Sequence, residues 1–399
     1  MRPASTRLGL TVPRARVWPP AASALVIFGV LLANTAAASS SGWSQQLAAK
    51  PPSKNSALTA VSCASRKACV AVGYSKNKSG RSFALVERWN GVRWSIQPNP
   101  AGVDPSVLNS VSCTSATACT AVGSAPPVSY RTGAGAPLVE RWDGKTWSIE
   151  PIRRFPQGEL SSVSCTSQMF CAAVGSWEGI PDYPASYPLL GRWNGRAWSF
   201  RGSGAANPVV AGGVSCVSPT ACEAIGSWTS SCCYTPLWNW NGRQWSEFDL
   251  YDGGSTPYLR ALSCASELTC ISVGYEDSGA LTIGGTTLSA LSSANPNPPS
   301  PYDLSDVSCV SSSVCVAVGL DQTTYIIGAP SYTLVESWDG SSWTTQLTGT
   351  RGVLSGVSCV SANACTAVGS TTTNAGKHVP LVESTIHTLA RAPTAKGRW

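Results

Sequence analysis

An eight-residue unit, Ser-Cys-x-Ser-x-x-x-Cys, occurs seven times along this chain of 399 residues. The copies begin at Ser62, Ser112, Ser164, Ser215, Ser263, Ser308 and Ser358, and each is followed by a short apolar run ending in Gly. First cysteines are separated by 50, 52, 51, 48, 45 and 50 residues. A period of this length marks a repeat architecture, in which no unit can bury its apolar face alone and neighbours must stack.

The second copy shows what one unit builds. Val107 to Cys113 alternates in the manner of a strand. Thr114 to Ala118 is a polar connection in which Ser115 can bond its own backbone. Cys119-Thr120-Ala121-Val122-Gly123 is a second strand, and Pro137-Leu138-Val139-Glu140-Arg141-Trp142 a third. Asp143-Gly144 is a tight hairpin turn, because Asp-Gly readily takes positive φ. Trp147-Ser148-Ile149-Glu150 is a fourth strand. Four short antiparallel strands in about 50 residues, repeated, predict an all-β fold: a seven-bladed β-propeller of four-stranded antiparallel blades.

Repetition also separates scaffold from site. The expected disulfides are Cys63–Cys69, Cys113–Cys119, Cys165–Cys171, Cys216–Cys222, Cys264–Cys270, Cys309–Cys315 and Cys359–Cys365, each stapling the first hairpin of its unit. Such short loops contribute modestly, about 2 kcal/mol each on the chain-entropy account. Redox catalysis would need one pair, not seven. A structural zinc would need closer cysteines or histidines. The chain has only His378 and His387, so neither metal nor cofactor is expected.

The motif Trp-[Asn/Asp]-Gly-x-x-Trp recurs as Trp89/Trp94, Trp142/Trp147, Trp193/Trp198, Trp240/Trp245 and Trp338/Trp343. The fifth unit keeps the frame with Ile283 and Leu288. Packing tolerates that exchange and stacking on a sugar does not, so these rings are assigned to the core. Glu87, Glu140, Glu336 and Glu383 also recur and are read as structural hydrogen-bond acceptors.

Residues 1–38 read as a secretory signal: Arg2, Arg7, Arg14 and Arg16, an apolar stretch from Ala21 to Ala33, then Ala36-Ala37-Ala38 as a cleavage site. The alternative is an uncleaved anchor, against which stands the shortness of the apolar core. Sixteen cysteines fit a secreted, extracellular protein, with envelope association a variant of that reading. Without the four signal arginines the formal charge falls from +7 to +3. No basic block remains to mark a nucleic-acid surface.

The propeller is expected over residues 39–384, with repeats starting near 58, 108, 160, 211, 259, 304 and 354, and a tail over 385–399. The seventh unit has no fourth strand of its own. Residues 42–47, Gly-Trp-Ser-Gln-Gln-Leu, match the strand that begins at Trp343 and can complete the last blade. Lys396-Gly397-Arg398-Trp399 is the competing closure.

The run from the strand-two glycine through Leu-Val-Glu-Arg-Trp-Asp-Gly-x-x-Trp resembles the kelch repeat, the unit of galactose-oxidase-like central domains. Gly73, Gly123, Gly175, Gly226, Gly274, Gly319 and Gly369 stand at its glycine position. The second glycine of the kelch pair is absent and the cysteine pair is not a kelch feature. Residues 143–147 are also similar to a sialidase Asp-box, one residue short. Enzymes of the galactose-oxidase type imply copper held by Tyr and His, a set this chain does not match.

Function is expected in what does not repeat. The two-three and four-one connections share one face and vary in length, and such loops usually carry function. All eleven tyrosines map there: Tyr74, Tyr130, Tyr183, Tyr187, Tyr234, Tyr251, Tyr258, Tyr275, Tyr302, Tyr325 and Tyr332, joined by Trp177 and Trp228. Tyr offers apolar area, few rotors and a hydroxyl, so these rings are the candidate ligand-binding set. Cys232-Cys233 is the irregular pair on that face: a vicinal disulfide, a partner for Cys216 or Cys222, or a bridge to another chain. The leading function is a monomeric, non-catalytic binding or scaffold protein for a glycan, an envelope polymer or an extracellular protein. The alternatives are a carbohydrate-active hydrolase or lyase using carboxylates such as Asp182, Glu276, Asp277 or Asp321, and a structural cell-surface protein.

Overall fold

The computed structural model describes residues 42–51, 53, 55–100, 105–125, 135–152, 157–178, 186–202, 209–228, 235–250, 258–275, 280–284, 287–291, 302–322, 330–373 and 376–385. Every regular element among them is a β-strand. The strands form seven four-stranded antiparallel units. Six lie in sequence order over residues 56–96, 107–149, 158–202, 209–250, 258–291 and 302–351. The seventh combines Val353–Ser361, Ala364–Thr372 and His378–Ser384 with the N-terminal strand Ser44–Gln46. That strand pairs antiparallel to the third, with Ser44 opposite Ser384 and Gln46 opposite Val382. One bridge, Tyr275 opposite Asp303, links the fifth unit to the sixth.

Each unit starts with the same hairpin. In the first, Ser56–Ser65 pairs with Ala68–Lys76, and Cys63 stands opposite Cys69. All seven expected disulfides are present, with Cα separations of 3.9 to 4.0 Å. Such close Cα atoms belong to non-hydrogen-bonded cross-strand pairs, whose N–H groups point away from the partner strand. The first strand is the edge of its unit, so the Cys N–H faces outward without a ladder partner.

A serine of the preceding unit accepts that hydrogen. Cys113 N–H donates to Ser62 Oγ at 2.9 Å. The same bond joins Cys165 to Ser112, Cys216 to Ser164, Cys264 to Ser215, Cys309 to Ser263 and Cys359 to Ser308, at 2.9 to 3.0 Å. A seventh joins Cys63 to Ser358 at 3.0 Å, across 295 positions. Two residues earlier, the next outward N–H is met in three units: Val163 by Ser110, Val214 by Ser162 and Val357 by Asp306. The invariant Ser before each Cys is therefore a device for satisfying an exposed sheet edge.

The glycine that closes the apolar run within each second strand has a steric cause. The first strand carries a bulge, between Leu58 and Ala60 in the first unit, that brings its backbone onto the glycine opposite. A Cβ on Gly73 would stand 2.1 Å from the Ala57 carbonyl oxygen, and one on Gly123 2.0 Å from that of Val107.

Apolar side chains then fill the gaps between units. Leu108 and Val111 pack with Val70, Val72 and Val86 of the preceding unit, and Leu160 and Val163 with Val122 and Val139. Similar clusters join each later pair, and Leu58, Val61 and Trp89 of the first unit pack with Val368 and Val382 of the seventh. Burying one such Leu contributes about 1.5–3 kcal/mol.

The tryptophans are packing residues. Trp89 faces Trp94, Trp142 faces Trp147 and Ile283 faces Leu288 in register. Indole N–H groups of Trp89, Trp193, Trp240 and Trp338 donate to carbonyls in the first turn of their own units, at 3.0 to 3.2 Å. The hairpin between the paired residues is a four-residue loop, longer than the tight turn the Asp-Gly dipeptide suggests. Asp143 Oδ1 accepts from the amides of Lys145 and Thr146, and Gly144 takes φ +96°.

Two stability measurements check this construction. Gly123→Ala is expected to cost about 2–3 kcal/mol in chemical denaturation, whereas Gly42→Ala, with no atom within 4 Å of its Cβ, is neutral. Ser112→Ala is expected to cost about 1 kcal/mol through loss of its single hydrogen bond, and Ser358→Ala the same amount.

Candidate ligand-binding site

Second strands end, third strands begin and first strands begin at one end of each unit, and every described candidate ring lies there. Tyr74 is half-buried with the Lys76 ammonium 5.5 Å from its ring. Trp177 and Tyr187 are cross-strand partners with ring centroids 5.6 Å apart. Tyr258 is 47% exposed, opposite Tyr275, with the Arg260 guanidinium 5.9 Å from its ring. Arg260 also pairs with Asp303 at 3.0 Å. Tyr302 and Tyr332 both stand opposite Asp321, and Trp228 opposite Val209. The register thus brings the Trp177 and Tyr187 rings together and sets Tyr258 opposite Tyr275 along the backbone. Tyr130, Tyr183, Tyr234, Tyr251, Tyr325, Cys232 and Cys233 lie outside the described residues, as do Asp182, Glu276 and Asp277. Asp321 is 3% exposed.

A cavity of about 760 Å³ opens at this same end, beside the first unit. Its rim is built from two tight loops. In the first, Asn77 Oδ1 accepts from the Ser79 and Arg81 amides, and Lys76 N–H donates to the Asn55 carbonyl at 2.8 Å. In the second, Lys377 N–H donates to Thr373 Oγ1 and Thr373 N–H to the Lys377 carbonyl. These loops present Lys76, Lys78 and Lys377 to the cavity. Its floor is apolar, with Leu85 buried and Phe83 and Ile96 exposed to 39% and 38%. Ser53, Asn55 and Ser75 add polar groups, and no carboxylate among the described residues lines it. The described candidate rings are not part of the lining; Tyr74 touches the rim only through Lys76.

Sequence reasoning missed this site because its charge is not clustered along the chain. Net charge near neutrality argued against a basic surface, yet packing of the first unit on the seventh sets Lys377 beside Lys76 and Lys78.

The recurrent glutamates lie elsewhere, deep between units. Glu87 is fully buried and accepts from the Ala49 amide at 3.0 Å. Glu383 accepts from Thr333 and Thr348 Oγ1 at 3.3 and 3.1 Å. Glu140 has one carboxylate oxygen without a partner. Burial pushes Glu87 and Glu140 up to about 7. Their burial fits the structural role expected of them.

No family model matches the chain, and no curated protein matches it. Among solved structures it is similar to YCF48 bound to D1 peptide: TM-score 0.55, 12% identity, covering 88% of this chain and 97% of that one. The chain has a β-propeller fold. A protein of unknown function from Dyadobacter fermentans DSM 18053 aligns at TM-score 0.46 and 9% identity, over 86% of this chain and 99% of that one. The four-stranded units are the blades of that fold, and the seven bonded cysteine pairs suit an oxidising environment. No helix among the described residues is long and apolar enough to cross a membrane.

The buried glutamates give the blades a defined pH response. Their folded pKa lies above the unfolded value, so their contribution is fully present below pH 4.5 and is lost as pH rises through about 7. Glu140→Gln is expected to raise stability at pH 8 by up to about 3 kcal/mol and to leave it unchanged at pH 4. Denaturant midpoints at the two pH values check this.

Proposed function

We propose that this chain is a secreted, non-catalytic binding protein: a closed seven-bladed propeller, kelch-like in its repeat, that holds an acidic segment of an extracellular protein on its tyrosine-bearing face. The lysine-rimmed cavity carries the reading. Three ammonium groups surround an apolar floor with no neutralising carboxylate among the described residues, so an extended peptide with carboxylates beside an apolar side chain fits its chemistry. The similar YCF48 structure is likewise of a propeller with a peptide bound. The tyrosines and Trp177 extend the contact surface beyond the cavity, offering amphipathic rings at low entropic cost. In this reading residues 1–38 are removed as a signal peptide, 39–384 are the propeller and 385–399 a tail.

Ring closure is supported by three features: the Ser44–Gln46 strand on the last blade, the Cys63–Ser358 bond and the cluster joining the first and seventh blades. A closed ring fixes the positions of both lysine loops and so pre-organises the site.

The test is a fluorescently labelled peptide library, acidic and basic, equilibrated with the purified chain. Acidic peptides bearing an aromatic or aliphatic residue are expected to be retained, with affinity falling as salt rises. The combined Lys76→Ala, Lys78→Ala, Lys377→Ala variant is expected to bind between about threefold and a hundredfold more weakly, since exposed ion pairs contribute roughly 0.2–1 kcal/mol each. Retention that ignores all three lysines would sink the reading.

A further inference from the structure

The opposite end of the blades, where first and second strands turn and the Trp loops lie, repeats a second feature. The residue before the third-strand Trp is Arg88, Arg141 and Arg192 in the first three blades. Each guanidinium reaches into the next blade and lies over its Trp: Arg88 over Trp142 at 5.5 Å, Arg141 over Trp193 at 4.2 Å, Arg192 over Trp240 at 5.5 Å. Arg88 and Arg141 also donate to a carbonyl of the next blade's first turn, Ala116 at 3.1 Å and Gln168 at 3.2 Å. The gaps that follow the first three blades are thus shaped to hold a guanidinium.

The fourth blade departs from this pattern in two ways. Asn239 stands where the arginines stand, and a cavity of about 390 Å³ occupies the gap to the fifth blade. Its wall includes Ser266, Glu267 and Leu268, the turn that aligns with the Ala116 and Gln168 turns. Opposite Asn239, where the first three blades have Val70, Thr120 and Ala172, the fourth has Glu223. The Glu223 carboxylate lines the cavity, is 8% exposed and accepts from Asn239 Nδ2 at 2.7 Å. No lysine or arginine among the described residues lines this cavity. A buried carboxylate without a cation is costly, and burial pushes Glu223 up to about 7.

We propose that the cavity between the fourth and fifth blades receives an arginine side chain from a partner protein. Glu223 would meet the guanidinium beneath, and the Glu267 turn would meet it at the mouth. The site takes the place of the intrachain arginine used by the first three blades, and it is independent of the lysine-rimmed cavity.

The test uses the 15N-labelled full chain titrated with Nα-acetyl-arginine amide, following the Trp240 indole and Asn239 side-chain resonances. Saturable shifts are expected, together with no response to the citrulline analogue. Glu223→Gln is expected to weaken binding at least tenfold. Asn239→Arg is expected to abolish binding while the fold is kept, because its own guanidinium fills the gap; a thermal melt confirms the fold and keeps the test valid should Glu223→Gln misfold. No saturation with the arginine amide, equal binding of the citrulline or lysine amides, or unchanged binding by Asn239→Arg would each overturn the assignment.

Discussion

A hydrogen bond from a Cys amide to the serine of the preceding blade is the interaction on which the rest of this structure depends. A four-stranded blade has an inner edge whose N–H groups have no ladder partner, and such edges are costly when buried and hazardous when exposed. Here the edge donor at each first cysteine is answered seven times by the same serine hydroxyl. The bond couples chemistry that looks separate in the sequence. The disulfide holds the cysteine in a non-hydrogen-bonded pair and turns its amide outward. The serine in front of that cysteine serves the next blade. Once this contact sets the spacing, the Leu and Val side chains of neighbouring blades can interlock.

In the proposed reading, function resides where the blades differ. On one end, two lysine-bearing loops from blades far apart in sequence meet over an apolar floor. On the other, the loss of one arginine and the gain of one glutamate leave a gap of complementary charge. In both places the repeat provides the frame and a local departure provides the chemistry.

The scaffold was legible in the sequence because each of its signals is local. Cysteine spacing, the Trp-[Asn/Asp]-Gly-x-x-Trp hairpin and the Ile283/Leu288 exchange are read within a few residues and confirmed by register. The missing fourth strand of the last unit pointed to residues 42–47, where Ser44–Gln46 pairs with it. The charged sites were not legible, since Lys377 joins Lys76 and Lys78 only through packing. Arg141 over Trp193 likewise needs the next blade in place. The glycine that resembled a kelch feature has its own steric origin in the bulge opposite Gly73.

Native-state hydrogen exchange at the seven first-cysteine amides addresses the central claim most directly. If the serine bonds run through every blade contact, the Cys63 amide, held by Ser358 from the far end of the chain, exchanges as slowly as those of Cys113, Cys165 and Cys216. Rapid exchange at Cys63, with the other six protected, would show an open array whose first and last blades fray apart, and would contradict the account.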